Sequence, residues 1–165
     1  MAHDMKQREV EHAVKLFGVH LRDVLEPLIF PDREALEVEA SVLRDIKSEP
    51  IGPAAASRRR FSGVPVGWRW GPKWATCWFR VRGRVPRRFE GRSVRLRFSS
   101  GTEALVWRPG TDGESWTPWQ GLDVNRDSVT LWHHGRDGRG AQGDIDVLIE
   151  AACNHPFGVT GFEWD

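Results

Sequence analysis

Six histidines, two cysteines and twenty-three carboxylates are the side chains of this sequence able to hold a metal ion, attack a substrate or carry a proton. A hydrolytic metal site needs His, Cys, Asp or Glu ligands that converge, and cleavage of a glycosidic bond needs two carboxylates roughly 5 to 9.5 Å apart. The spacing offers neither. His133 and His134 are adjacent, run into a Gly-Arg-Asp-Gly turn, and would point to opposite sides of an extended segment. His155 sits between Asn154 and Pro156 with no zinc-like spacing to Cys153. His3, His12 and His20 fall on or before an amphipathic helix, where a surface position is the default. The expectation is no catalytic residue and no metal ligand in this chain.

A second kind of chemistry is recognition. An indole face stacks on the C–H face of a pyranose, and Trp107, Trp116 and Trp119 are the candidate platforms for such a ring. Gln120 and Glu103 are candidate hydrogen-bonding groups to its hydroxyls. The competing fate of each Trp is core burial, since a Trp can bury about 150 to 250 Å². Glu103, just ahead of Ala104-Leu105-Val106-Trp107, can equally be a turn carboxylate satisfied by backbone N–H groups or by Arg97.

The elements that must hold these residues are strands. Nine Trp, no Tyr, 17 Gly and 10 Pro in 165 residues describe a body with many turns. In Cys77 to Val85, Cys77, Phe79, Val81, Gly83 and Val85 alternate with Trp78, Arg80, Arg82 and Arg84. Val94, Leu96 and Phe98 alternate with Arg95 and Arg97. Further strands are expected at 104–107, 128–132 and 144–152, separated by turns such as Arg136-Asp137-Gly138-Arg139-Gly140. Short strands without intervening helices predict an all-β fold, a jelly-roll-like antiparallel β-sandwich of galactose-binding-like type, whose outward face is wet.

Ahead of it lies an N-terminal amphipathic helical segment. Val10, Val14, Phe17, Leu21 and Leu25 share one stripe from about Met5 to Leu25, and Pro27 and Pro31 end the pattern. Val10, Val14, Phe17 and Leu21 are candidate interface residues. Asp32 is a plausible N-cap for a short turn over 33–38, and Leu28 to Pro53, Ile46 included, is weakly periodic. Pro50-Ile51-Gly52-Pro53 and Ala54-Ala55-Ala56-Ser57 read as linker or edge. The expected organisation is a helical arm and linker over 1–58 and a sandwich over 59–165.

A net charge of +1 argues against a nucleic-acid partner. The arginines crowded between Arg58 and Arg97 fit the wet face of a sandwich better than a phosphate-binding surface, whose basic excess would extend over the chain. No apolar run approaches the roughly 20 residues of a membrane span, so no membrane partner is expected. Met1-Ala2-His3-Asp4 opens no secretory signal, and the expectation is a cytoplasmic protein with Cys77 and Cys153 reduced.

One ordered series adds to this reading. Trp70-Gly71-Pro72, Trp74 to Val81, Val85-Pro86, Gly91 to Leu96, Glu103 to Arg108, Gln120-Gly121-Leu122 and Glu150 to Asn154 together resemble the N-terminal β-sandwich of cytosolic and vacuolar type α-mannosidases of glycoside hydrolase family 38, over about residues 60 to 158. The resemblance implies an accessory domain that lies ahead of a catalytic domain, in cis or in trans. That catalytic domain removes α-linked mannose with retention, using an aspartate nucleophile and a divalent metal, zinc or cobalt. No position here matches the His-x-Asp metal motif with which the catalytic domain opens, so no catalytic, metal or cofactor residue is carried over.

The resemblance further implies a homo-oligomer built partly through the N-terminal region. A free-standing module that binds mannose-containing sugars is the alternative. One departure from the family pattern is Thr111 to Trp119 before Gln120-Gly121-Leu122, which predicts an enlarged loop with Trp116 as its exposed tryptophan.

Overall fold

The computed structural model describes residues 2–45, 50–133 and 143–154, with side chains from residue 6 onward. Ile46, His134, His155, the turn over 136–140 and the last part of the 60–158 match lie outside the described residues, as does the side chain of His3. The chain divides into two compact units, Met1–Ala35 and Leu36–Asp165.

The first unit is helical: α1 (Ala2–His20), a π-helical turn (Leu21–Leu25) and α2 (Glu26–Ile29). The helical run therefore continues past Leu25 instead of ending before Pro27. Pro27 lacks the N–H that would continue the ladder, and the wider π-helical turn before it, in which the Glu26 N–H donates to the Leu21 carbonyl, accommodates the ring. The Phe30 N–H to Glu26 carbonyl bond, 2.8 Å, closes the segment. Val10, Val14, Phe17 and Leu21 are all exposed.

The second unit contains β1 (Glu37–Leu43), α3 (Pro53–Ser57), β2 (Ser62–Gly63), β3 (Thr76–Arg84), β4 (Val94–Arg97), β5 (Ala104–Pro109), β6 (Trp116–Leu122), β7 (Ser128–Trp132) and β8 (Asp144–Ala152). One antiparallel sheet has the order β2-β1-β3-β8-β5-β6, and β4 pairs with β7 in a second. Cys77, Phe79, Val81, Val106, Val147 and Ile149 from the large sheet meet Leu96 of β4 and Val129 of β7 in one core. Two antiparallel sheets closed over a shared apolar layer make an all-β sandwich.

The strands expected at 77–85, 94–98, 104–107, 128–132 and 144–152 are present, within two residues at each end. Three differences have physical causes. First, the division between units falls at Ala35/Leu36, not near residue 58. Leu36, Val38, Ala40 and Val42 alternate with Glu37, Glu39 and Ser41, and β1 pairs with β3 from Glu37↔Arg82 to Leu43↔Thr76. The turn expected over 33–38 after Asp32 is accordingly absent; β1 begins there. Gly83 leaves the space that Leu36 fills, since a Cβ at Gly83 would lie 2.4 Å from Leu36 Cδ2.

Second, Pro53–Ser57 is no linker. It forms the helical turn α3, whose buried Ala56 packs on Trp78 and Leu148 with Ile51, Phe61, Trp107 and Trp116 around them. The outward face of the large sheet is therefore dry at this end, because small alanines bring the α3 backbone close to the sheet. Third, the enlarged segment Thr111 to Trp119 is a short turn that runs directly into a strand. Gly110 N–H donates to the Ser115 carbonyl at 2.7 Å to close a hairpin turn, and β6 begins at Trp116. In that turn Asp112 accepts bonds from Ser115 and Glu114, which hold its carboxyl below the usual carboxylate range.

Candidate functional site

The candidate aromatic platforms do not assemble. Trp107 and Trp116 pack on the outer cluster around Trp78, and the Trp107 and Trp78 rings stand 6.4 Å apart. Trp119 packs on the inner core instead. The β5–β6 register shifts between Val106 and Trp107: Val106 faces Gln120, Trp107 faces Pro118, and Trp119 is left as the extra residue of a bulge. Arg108 lies 5.4 Å over the Trp119 ring. All three indoles are half-buried, and Trp116 is not the exposed tryptophan.

The polar candidates are also engaged. Gln120 Nε2 donates to the Ser128 carbonyl at 2.8 Å, tying β6 of the large sheet to β7 of the small one. Glu103 accepts from Asn154 Nδ2 at 2.6 Å, and its own carbonyl accepts the Ala152 N–H at 3.1 Å. Its partner is thus Asn154, at the end of β8. Arg97 is paired with Asp127 instead, at 2.8 Å.

Around the outer cluster, Trp107 Nε1 donates to Glu150 Oε2 at 3.3 Å. Burial pushes the Glu150 carboxyl above its ordinary value, and the Trp107 bond partly opposes that. Trp78 Nε1 is buried without a hydrogen-bond partner among the described residues. Farther along the same sheet, Arg80 grips Asp146 at 2.6 and 2.9 Å, Arg82 bonds Glu39, and Arg84 meets Asp144 at 3.5 Å. The arginines that alternate with core residues in β3 thus pair with acids of the flanking strands.

Cys77 and Cys153 are free and buried. Burial pushes the Cys77 thiol up to about 12 and raises Cys153 as well, so both are poor nucleophiles. Among the described residues no three His, Cys, Asp or Glu side chains converge on a point where a metal ion could sit. The divalent metal of the resembled catalytic domain has no fitting donor set among the described residues. No described helix is long and apolar enough to cross a membrane.

What sequence reasoning missed is the loop from Pro65 to Ala75. It is anchored by Trp70, whose Nε1 donates to the Ser100 carbonyl at 3.2 Å and whose ring meets Phe79 edge-on at 5.8 Å. It presents Trp74, 61% exposed and held at φ 70, with Lys73 Nζ 5.7 Å from its ring centre. The available signal was a Trp in a Gly-Pro-Lys stretch ahead of the period-two alternation.

A family model described as the jelly roll domain of α-mannosidase matches residues 34–163. The chain is 37% identical to human α-mannosidase 2C1 over 104 residues, 63% of this chain and 9% of that protein. It is 36% identical to the mouse α-mannosidase 2C1 over the same length and shares. It is 28% identical to α-mannosidase G of Dictyostelium discoideum over 128 residues, 76% of this chain and 11% of that protein. The chain thus spans about a tenth of the length of these relatives.

Proposed function

The chain belongs to the α-mannosidase jelly roll domain family, and on that premise we propose that it serves as the N-terminal accessory domain of a glycoside hydrolase family 38 α-mannosidase. The whole enzyme removes terminal α-D-mannose from mannosides and free oligosaccharides, and its catalytic domain, in cis or in trans, brings the divalent metal, zinc or cobalt. The sandwich itself is structural. The sandwich docks on the catalytic domain, the helical segment contributes through Val10, Val14, Phe17 and Leu21 to a homo-oligomer, and the chain hydrolyses nothing alone. The assembly works in the cytoplasm.

The observation that carries this reading is the match of 34–163 to one domain of proteins about ten times longer. The packing supports it: Trp107, Trp116 and Trp119 are spent on two different cores, and Gln120 holds the two sheets together. A sugar-binding module would present indole faces side by side. The purified chain, assayed on a chromogenic α-mannoside with added zinc or cobalt, is expected to give no turnover above the metal blank. Measurable turnover removed by a mannosidase inhibitor would overturn the structural role. Tryptophan emission should stay constant on titration with millimolar mannobiose; a saturable shift would favour the sugar-binding alternative.

A further inference from the structure

We propose that the Pro65–Ala75 loop, through Val66, Trp68 and Trp74, is the surface on which the polypeptide that follows the sandwich in full-length α-mannosidases packs. The proposal rests on the accessory-domain reading and gives it a specific face. Among the described residues the sandwich exposes four large apolar side chains, and three of them are in this loop: Val66 fully, Trp74 at 61% and Trp68 at 36%. Such side chains gathered on one loop mark a contact surface more often than chance exposure.

The backbone strengthens the point. Trp74 has φ 70, a left-handed conformation that a bulky side chain adopts only at an energetic cost. Inside the sandwich the indole gains little from it, since it points out of the core. The strained backbone is held from outside the loop as well as within it. The Trp74 N–H donates to the Cys153 carbonyl at 2.7 Å, the Cys153 N–H donates to the Ala75 carbonyl at 2.9 Å, and the Ala75 N–H donates to the Pro72 carbonyl at 2.9 Å.

Cys153 also decides the occupant. It directly follows β8, the last of the described strands, so the loop is stitched to the C-terminal end of that strand. In the relatives about nine tenths of the polypeptide lies outside the matched region. In the proposed arrangement part of that polypeptide covers this loop, which the end of β8 holds in place. Lys73, over one side of the indole, leaves that side less open to a stacked sugar and favours a protein surface that is apolar and carries acids at its margin.

The test footprints the protein in its natural assembly. The chain is tagged in its own host, isolated under native conditions and assayed for α-mannosidase activity. Oxidation of Trp74 and Trp68 by hydroxyl radical is then compared, by peptide mass spectrometry, with that of the recombinant 165-residue chain. The expected result is activity in the assembly and Trp74 oxidation slowed at least tenfold, with the peptide of the exposed Val124 as an internal reference. Activity with unchanged Trp74 oxidation overturns the loop as docking face and leaves the accessory role standing. No catalytic polypeptide with the chain, in cis or in trans, overturns both.

Discussion

Trp78 and Trp74 are four residues apart and meet opposite fates. Trp78 lies in the middle of β3, fully buried between the sheet and α3, beside Leu148 and near Trp107. Trp74 stands on the loop before β3, largely exposed on a left-handed backbone. The difference teaches that the tryptophan count of this chain measures two things. Most of the described indoles, Trp70 of the loop included, are packing material, and Trp74 is kept outside at a conformational cost.

The largest expected effect is at Trp78. Trp78→Ala should cost about 3 to 5 kcal/mol in urea unfolding, as for other large core truncations. Trp78→Phe should cost clearly less, because it also removes a buried N–H that has no partner among the described residues. Equal losses for the two would mean that Nε1 is satisfied in solution. Trp74→Asn, by contrast, should leave the isolated chain unchanged or stabilise it by up to about 1 kcal/mol, since Asn tolerates a left-handed backbone. A loss at Trp74 comparable to that at Trp78 would break the comparison.

Next in size is Asp146→Ala, which leaves the partly buried Arg80 without its bidentate partner. About 1 kcal/mol or less is expected, shrinking in high salt, because both side chains keep solvent contact. The thiols report the same layer. Cys77, pushed up to about 12, should resist alkylation at pH 8 in the native chain and react once urea unfolds it. Rapid native labelling would mean that the sandwich opens readily beside Trp78.

Glu150 gives a smaller effect with a definite sign. Burial raises its carboxyl above its ordinary value, so the folded chain holds the proton more tightly than the unfolded one. Its contribution to stability is therefore greatest below about pH 4.5 and declines as pH rises through the folded value. Glu150→Gln should flatten that decline in thermal melts across the window while keeping an acceptor for Trp107. The smallest effect is Phe17→Ala, within about 0.5 kcal/mol for the isolated chain, because the side chain is exposed.

Alternation carried most of the fold. Cys77, Phe79 and Val81 against Arg80 and Arg82 identify β3, and the turns around 144–152 mark the run that becomes β8. β1 was legible in principle from Val38, Ala40 and Val42, but alanine and glutamate hide a strand that only pairing with β3 secures. The candidate site was much less legible. Trp107, Trp116 and Trp119 are alike as sequence, and a one-residue bulge sends Trp119 to the opposite core from the other two. Arg97 and Asn154 are both reasonable partners for Glu103, and chain geometry selects Asn154.

By itself, then, the order of residues determined the kind of body this is, an antiparallel sandwich after a helical segment, because side-chain period is a local property of the backbone. Its motifs also named the family. Tertiary structure alone decided which indoles are inside, that α3 dries one end of the outer face, and that Trp74 stands beside the end of β8. Those outcomes depend on contacts between residues far apart in the chain, where a single bulge or a close-approaching alanine redirects a side chain that local pattern leaves undetermined.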